Sequence, residues 1–420
     1  MTVDTSERTA VPASPGRRVS RGRALLLGIA GVVVLLSLTR VVTGADVLTS
    51  SGTAAALLVL ALPIALAGLG GLLAERAGVV NIGLEGMLIL GTWGAGWAGF
   101  QWGPWAALLA AVVGGALGGL LHAVATVTFG VNHIISGVAI NLLAAGFVRF
   151  LSELFLVGRS GGGATQSASI VGSVPRVSLP VLSSGPDLLG RLEATRLPVL
   201  ADLGGLLGGL TRDVGLFQVA AVLLFPLVGW FLWRTRLGLR WRSSGEAPTA
   251  AETLGVDVVR IRYLAVTLSG ALAGFGGLFL VLFAGRYIEG QTGGRGYIGL
   301  AAMIFGNWRP GGLLSGSLLF GFTDALRLRA PDAVIALLLL VAVVLLVLAV
   351  VSFVRHRRVA TVLAGATGVV ALLGWLLLDS LPLQVVATTP YIVTLVVLAV
   401  ASQSLRPPRA AGLPYRRGQA

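Results

Sequence analysis

Residues 72–87 read LLAERAGVVNIGLEGM, and they place Glu75, Arg76, Asn81 and Glu85 within an otherwise apolar first third of the chain. The stretches on either side, 54–73 and 87–99, are apolar enough to lie in hydrocarbon. A carboxylate at bilayer depth is costly and is kept where it faces a bundle interior or a wet pathway. Gly78, Gly83 and Gly86 let the backbone leave helical geometry here, and irregular backbone at that depth persists only under the cover of protein or a cavity. The stretch therefore predicts a broken helix beside a transport path.

Composition bounds the rest. A chain of 420 residues that is 55% hydrophobic and 11% charged, with a mean hydropathy of +0.91, is an all-α polytopic membrane protein whose main surroundings are lipid. The net charge of +14 does not imply a nucleic-acid partner, because the arginines cluster in short segments between apolar spans, as the positive-inside rule expects. There is no cysteine, which excludes disulfides, thiolate metal sites and cysteine nucleophiles. All 31 basic residues are arginine, so no Schiff-base lysine is present. The phosphate-binding motif G-x-x-x-x-G-K-[ST] is excluded for the same reason, and the chain cannot itself be a P-loop ATPase. No nucleophile–base pair or metal spacing stands out, so neither an enzyme nor a resident cofactor is expected. His122 and His133 lack the neighbours that a metal wants and read as structural or pathway polar groups. Trp93, Trp97, Trp102 and Trp105, around a turn at 99–104, read as interfacial anchors.

In chain order, 1–23 is a basic cytoplasmic tail, and the apolar run 24–42 is longer than the core of a signal peptide and reads as a first span. Further spans fall at 54–73, 79–99, 104–129, 134–151 and 214–233, with an external loop at 152–213 that holds a short interfacial helix near 203–210. Residues 234–262 carry six arginines and form a cytoplasmic loop. Spans at 263–284, 297–308, 312–328 and 334–354 lead to a second basic cluster at 355–358, and spans at 359–378 and 390–404 close the chain. The expectation is about 10–12 transmembrane helices with both termini in the cytoplasm. The six residues Ile82-Gly83-Leu84-Glu85-Gly86-Met87 are echoed by Ile298-Gly299-Leu300-Ala301-Ala302-Met303, with Trp93 and Trp308 following. On this topology the two copies run in opposite directions, the arrangement of inverted repeats whose interrupted segments mark a substrate site.

Two stretches carry candidate chemistry. Asn81 and Glu85, four apart, share a helix face and would offer a sugar or base an amide and a carboxylate, with Asn132, Asn141 and Asn307 the next candidates for the lining. The alternative for Glu85 is that it binds an arginine or a backbone amide and merely fixes the break. Within the basic loop, 243–256 has the signals of one short helix, with Pro248 near its start, Glu252 midway and Gly255 at its end. A helix that short needs something to hold it. Gly245, Glu246, Ala250, Ala251, Glu252 and Gly255 are the candidates for docking a cytoplasmic partner.

Four stretches in order, AERAGVVNIGLEGM (74–87), GVNHIISGVAINLLA (130–144), RTRLGLRWRSSGEAPTAAETLGVDVVRIRYLAVTLSGALAG (234–274) and GGRGYIGLAAMIFGNWRPGGLLSGSLLFGFTDAL (293–326), resemble the permease subunits of bacterial ABC importers in the branched-chain amino acid and simple-sugar group, nearest to the nucleoside branch. The likeness covers about 54–328 and resumes at 381–415, through LPLQVVATTPYIVTLVVLA and the closing GLPYRR. It implies a permease core in the bacterial cytoplasmic membrane that moves a nucleoside. It also implies a second permease subunit, two ATP-binding cassette ATPases carrying ATP and Mg, and an extracytoplasmic solute-binding lipoprotein. A monosaccharide permease is the alternative solute reading. A proton-coupled carrier using Glu75, Glu85 or Asp324 is the alternative mechanism. Departures from the family pattern are the helix and loop at 24–53, a helical hairpin at 331–380 and the long loop at 152–213. Residues 381–420 supply the last helix and basic tail.

Overall fold

The computed structural model describes residues 21–330, 333–378, 381–382, 384–386, 388, 405–416 and 418. The expected tail before residue 21 and the span at 390–404 lie outside the described residues. The protein is an all-α membrane protein. Ten helices of 19 residues or more are described: α1 (Arg21–Thr43), α2 (Ser51–Arg76), α3 (Leu84–Trp102), α4 (Pro104–Ala123), α5 (His133–Phe155), α8 (Leu216–Arg234), α11 (Val258–Ala284), α13 (Pro310–Arg329), α14 (Val334–Val354) and α15 (Arg358–Leu377). Seven of the described helices are long and apolar enough to cross a membrane by composition alone. Shorter helices are α6 (Leu188–Ala194), α7 (Leu200–Thr211), α9 (Arg236–Glu246), α10 (Pro248–Thr253) and α12 (Arg295–Phe305), and a two-residue ribbon pairs β1 (Arg176–Val177) with β2 (Val214–Gly215).

The centre is α2, buried along nearly its whole length. Where lipid removes the hydrophobic drive, helices associate through close packing of small residues. Accordingly, Gly91, Gly115 and Gly119 on α3 and α4 meet Gly274, Gly270 and the Val266 carbonyl of α11 with no room for a Cβ. That is the reason for the glycines of α4.

Two elements flanking α2 run in opposite directions. Leu84 of α3 lies beside Gly71 and Leu88 lies one helix turn further toward the start of α2, near Gly276, which itself abuts Pro63. In α12, Gly299 lies beside Gly68 and Met303 beside Gly71, so this helix runs with α2. The echoed hexapeptides are therefore antiparallel in space. The span expected at 297–308 is an 11-residue helix of about 16 Å, half the thickness of a bilayer core. The chain before it, 285–294, is non-helical, and hydrogen bonds from Ser167, Ile170 and Glu289 tie it to the loop at 165–170.

The two ends of the bundle differ. One end gathers the 156–215 loop, where α7 lies against α2 with Gly205 and Gly209 on the Thr49 and Ser51 carbonyls. The other end carries α9, α10 and residues 405–416. α1 is held at the loop end by Val199 N donating to Ser37 Oγ at 2.8 Å and by an Arg40–Asp202 ion pair at 3.0 Å. There too, the Arg212 guanidinium beside Asp187 holds that carboxyl below its ordinary value. The expected hairpin at 331–380 is α14 and α15 turning at 355–357, with Val362, Leu363, Val370 and Leu376 of α15 exposed as a lipid-facing side.

Candidate functional site

The break at the end of α2 is built by a glycine closure. Gly78 has a φ of +99°; its N–H donates to the Glu75 carbonyl, and the Val79 N–H reaches back to the Ala74 carbonyl, the paired bonds that end a helix on a left-handed residue. The chain then runs without helix through 79–82 before Gly83, the N-cap of α3. Such backbone has polar groups to satisfy, and side chains from two helices, α4 and α5, do so. Val80 donates to His133 Nδ1 at 3.2 Å and its carbonyl faces His122 Nε2 at 3.1 Å, which fixes the His122 proton on Nε2. Asn141 donates to the Ile82 carbonyl and to the Tyr297 hydroxyl, both at 3.0 Å, while its Oδ1 accepts from Gly86 N at 2.7 Å. The two histidines thus hold the break in place.

Glu85 spans the repeat. Its Oε1 accepts from Gly294 N at 3.0 Å and its Oε2 from Gly296 N at 2.7 Å. The carboxylate therefore sits on the N-terminus of α12, where free amides and the helix dipole favour an anion. This geometry matches the scaffold alternative for Glu85: the carboxylate of one copy of the echo closes the helix that bears the other. Asn81 is fully buried, and its Nδ2 donates to Ser269 Oγ at 2.9 Å and to Met87 Sδ at 3.3 Å. Its Oδ1 is buried without a hydrogen-bond partner. An unpaired buried acceptor costs about 1–3 kcal/mol.

The structure thus brings Asn81, Glu85 and Asn141 together and adds Ser269, Tyr297, His122 and His133. Asn132 and Asn307 are elsewhere. Asn132 is exposed and caps α5, accepting from Ile134 N at 2.9 Å. Asn307, with a φ of +53°, lies in the turn between α12 and α13 and accepts from Arg406 N at 2.8 Å. A separate cavity of about 700 Å³ opens at the loop end, rimmed by Arg176, Arg212 and Arg329 over a floor that includes Phe217, Phe279 and Phe283. None of the five candidate asparagines and glutamate lines it.

The loop expected to hold one helix over 243–256 holds two. Ser243–Glu246 finish α9, and Pro248 forces the separation, since proline has no N–H to continue the ladder and pushes Ala247 to extended backbone (φ −151°, ψ 78°). α10 is closed by Gly255 at φ +81°, and Ala251 is its buried residue. α9, which leads into this short helix, is held by the end of α2: Trp241 Nε1 donates to the Leu73 carbonyl at 2.9 Å and Ser244 Oγ to the Ala77 carbonyl at 3.0 Å, two of the carbonyls the helix end leaves open. Arg76 donates to the Trp308 carbonyl at 2.9 Å and pairs with Glu246 at 3.8 Å. Trp308 Nε1 donates to Glu75 Oε2 at 2.5 Å. The α9–α10 loop, the broken helix and the α12–α13 turn are one bonded unit. Gly245 sits against the Arg76 carbonyl with no space for a Cβ, while Ala250 and Glu252 lie on α10.

Asp324 is ion-paired with Arg295 at 2.7 Å and with Arg327 at 3.3 Å. Among the described residues no group of three or more His, Asp or Glu is arranged to hold a metal. Trp93 and Trp97 stack on one another with centroids 5.9 Å apart, and Trp97 meets Trp102 edge-on. Trp102 and Trp105 are exposed.

A half-helix antiparallel to its echo, a glycine-closed break and a buried polar knot define a transporter core. The family model described as "Branched-chain amino acid transport system / permease component" matches residues 53–350, and the chain belongs to that family. It is 37% identical over 280 residues, covering 64% of this chain and 80% of the relative, to the guanosine ABC transporter permease protein NupQ of Bacillus subtilis. To the nucleoside ABC transporter permease protein NupC of Lactococcus lactis it is 36% identical over 279 residues, with coverage of 64% and 80%. To the putative glucose ABC transporter permease protein TsgC13 of Haloferax volcanii it is 36% identical over 282 residues, with coverage of 65% and 75%. No solved structure matches.

Proposed function

We propose that this chain is the permease subunit of an ATP-driven importer for nucleosides, with Asn81 the residue whose side chain meets the solute or the gate that admits it. The observation carrying this reading is that a buried, unpartnered Asn81 Oδ1 lies in the same broken segment to which the α9–α10 loop is bonded. A nucleoside supplies hydroxyl and amino donors for that acceptor. Glu85 and Asn141 position the break, and Asn132 and Asn307, near the α9 end, stand where the path leaves the core. Gly245, Glu246, Ala250, Ala251, Glu252 and Gly255 form the face that a cytoplasmic ATPase, carrying ATP and Mg, engages. A second permease, a second ATPase and an extracytoplasmic binding lipoprotein complete the assembly in a bacterial cytoplasmic membrane, with both termini inside.

Monosaccharides are the second solute class, favoured by the likeness to a putative glucose permease. A proton-coupled carrier is disfavoured, because Glu75, Glu85 and Asp324 are each committed to a donor. Purified complex in vesicles, offered a panel of nucleosides, nucleobases, pentoses and hexoses, tests the reading. Nucleosides are expected to be taken up at rates at least tenfold above the rest. Uptake confined to free hexoses or pentoses overturns the nucleoside assignment.

A further inference from the structure

Residues 405–416 cross the α9 end of the molecule and bond to four separate elements. Arg406 N donates to Asn307 Oδ1 at 2.8 Å, in the α12–α13 turn. Ala410 N donates to the Gly245 carbonyl at 2.8 Å, in the docking loop. Gly412 N donates to the Gly78 carbonyl at 3.1 Å, in the break itself. On α11, Arg262 Nη1 donates to the Leu413 carbonyl at 3.2 Å, and its guanidinium lies over the Tyr415 ring at 5.3 Å. Gly412 takes the left-handed conformation needed to make this turn, with a φ of +81°.

Arg262 makes this more than a tail resting on a surface. It is 2% exposed, no described acidic side chain pairs with it, and its Nε and Nη2 have no hydrogen-bond partner. A buried cation without compensation is strongly unfavourable. The carbonyl and aromatic face of 413–415 are what compensate it, the latter by cation–π attraction. Its Nη2 also lies where a Cβ on Gly78 would fall. Lifting the segment would strand this charge beside the break.

We infer that residues 405–416 are a positioning strap that makes the docking loop and the Gly78 break move as one body, with Ala410 and Tyr415 as its two anchors. The inference rests on the proposed ATP-driven reading for its main test. Side-chain bonds from Trp241 and Ser244 hold the loop to the end of α2. The strap adds backbone bonds to the Gly245 and Gly78 carbonyls from residues two apart on one short segment, a geometry that permits little relative motion.

The test uses the full chain assembled with its partners in vesicles, reading solute transported per ATP hydrolysed. Ala410→Pro deletes the N–H that reaches Gly245, and Tyr415→Ala deletes the ring over Arg262. Ala410→Ser and Tyr415→Phe keep those features. The strap predicts that the first pair assemble and hydrolyse ATP while transport per ATP falls at least fivefold, and that the second pair stay within twofold of the parent. A role in folding alone lowers hydrolysis and transport in proportion. That outcome, or an unchanged ratio in the first pair, overturns the inference.

If the parent complex hydrolyses ATP but moves no solute, the functional reading fails, and the strap is judged by labelling instead. Single cysteines from Thr249→Cys and Val80→Cys report the loop and the break. The strap predicts that ATP changes their labelling rates together in the parent and that Ala410→Pro uncouples the two responses. Independent responses in the parent, or linked ones in Ala410→Pro, refute it.

Discussion

Gly78 shows how a single residue fixes the break. Its φ of +99° and the Arg262 Nη2 lying 2.7 Å from where a Cβ would stand leave no room for a side chain. Gly78→Ala is expected to destabilise the protein by about 1–3 kcal/mol from backbone strain alone, measured as an earlier unfolding transition in detergent. An unchanged transition would show that the left-handed closure is not required. Asn81 behaves differently. Removing an amide whose Oδ1 is already unpaired saves one desolvation cost while losing the bond to Ser269, so Asn81→Ala should leave stability within about 1 kcal/mol. Transport, in contrast, should fall at least tenfold. Stability lost with transport intact would make Asn81 scaffold. Asn81, Glu85 and Asn141 were legible as polar groups in apolar sequence. Their pairing was not, because Ser269 and Tyr297 look like ordinary span residues, and nothing local tells that Glu85 caps a helix more than two hundred positions away.

At the scale of elements, periodicity and charge located nearly every described helix, because twenty apolar residues bounded by arginine leave few alternatives in lipid. The failures have local causes. The short span expected at 297–308 runs past the end of α12, since the apolar run continues beyond Phe305 to Trp308. The helix stops where Gly306 and the left-handed Asn307 and Trp308 turn the chain. The docking loop was read as one helix because Pro248 is tolerated at a helix start as well as at a break. The structure uses it as a start, with α9 ending just before. Proline at Ala251, buried in the middle of α10, should break that helix while leaving α9 bonded to α2. Ala251→Pro is expected to abolish stimulated ATP hydrolysis and copurification of the ATPase without loss of the inserted permease. Normal copurification would mean that α10 is not the docking face.

For the whole molecule, the parity of the spans places the 156–215 loop at one end and the α9 loop with the turn at 355–357 at the other. Arg191, Arg240 and Arg357 are exposed, and the chain has no cysteine of its own. A membrane-impermeant thiol reagent on intact cells should label Arg191→Cys, and should reach Arg240→Cys and Arg357→Cys only after permeabilisation. The reverse pattern would invert the molecule in the membrane. The strap at 405–416 was not legible in the sequence, because its contacts are backbone N–H bonds, one carbonyl on a buried arginine and one ring over it, which leave no periodic trace.

The source of energy separates an ATP-driven permease from a proton-coupled carrier most directly. The decisive measurement is accumulation of radiolabelled nucleoside by vesicles containing the complete complex, with ATP and Mg on the cytoplasmic face and a protonophore present. Concentrative uptake that requires ATP and survives the protonophore is the predicted result. Uptake that proceeds without ATP and collapses with the proton gradient would contradict the account.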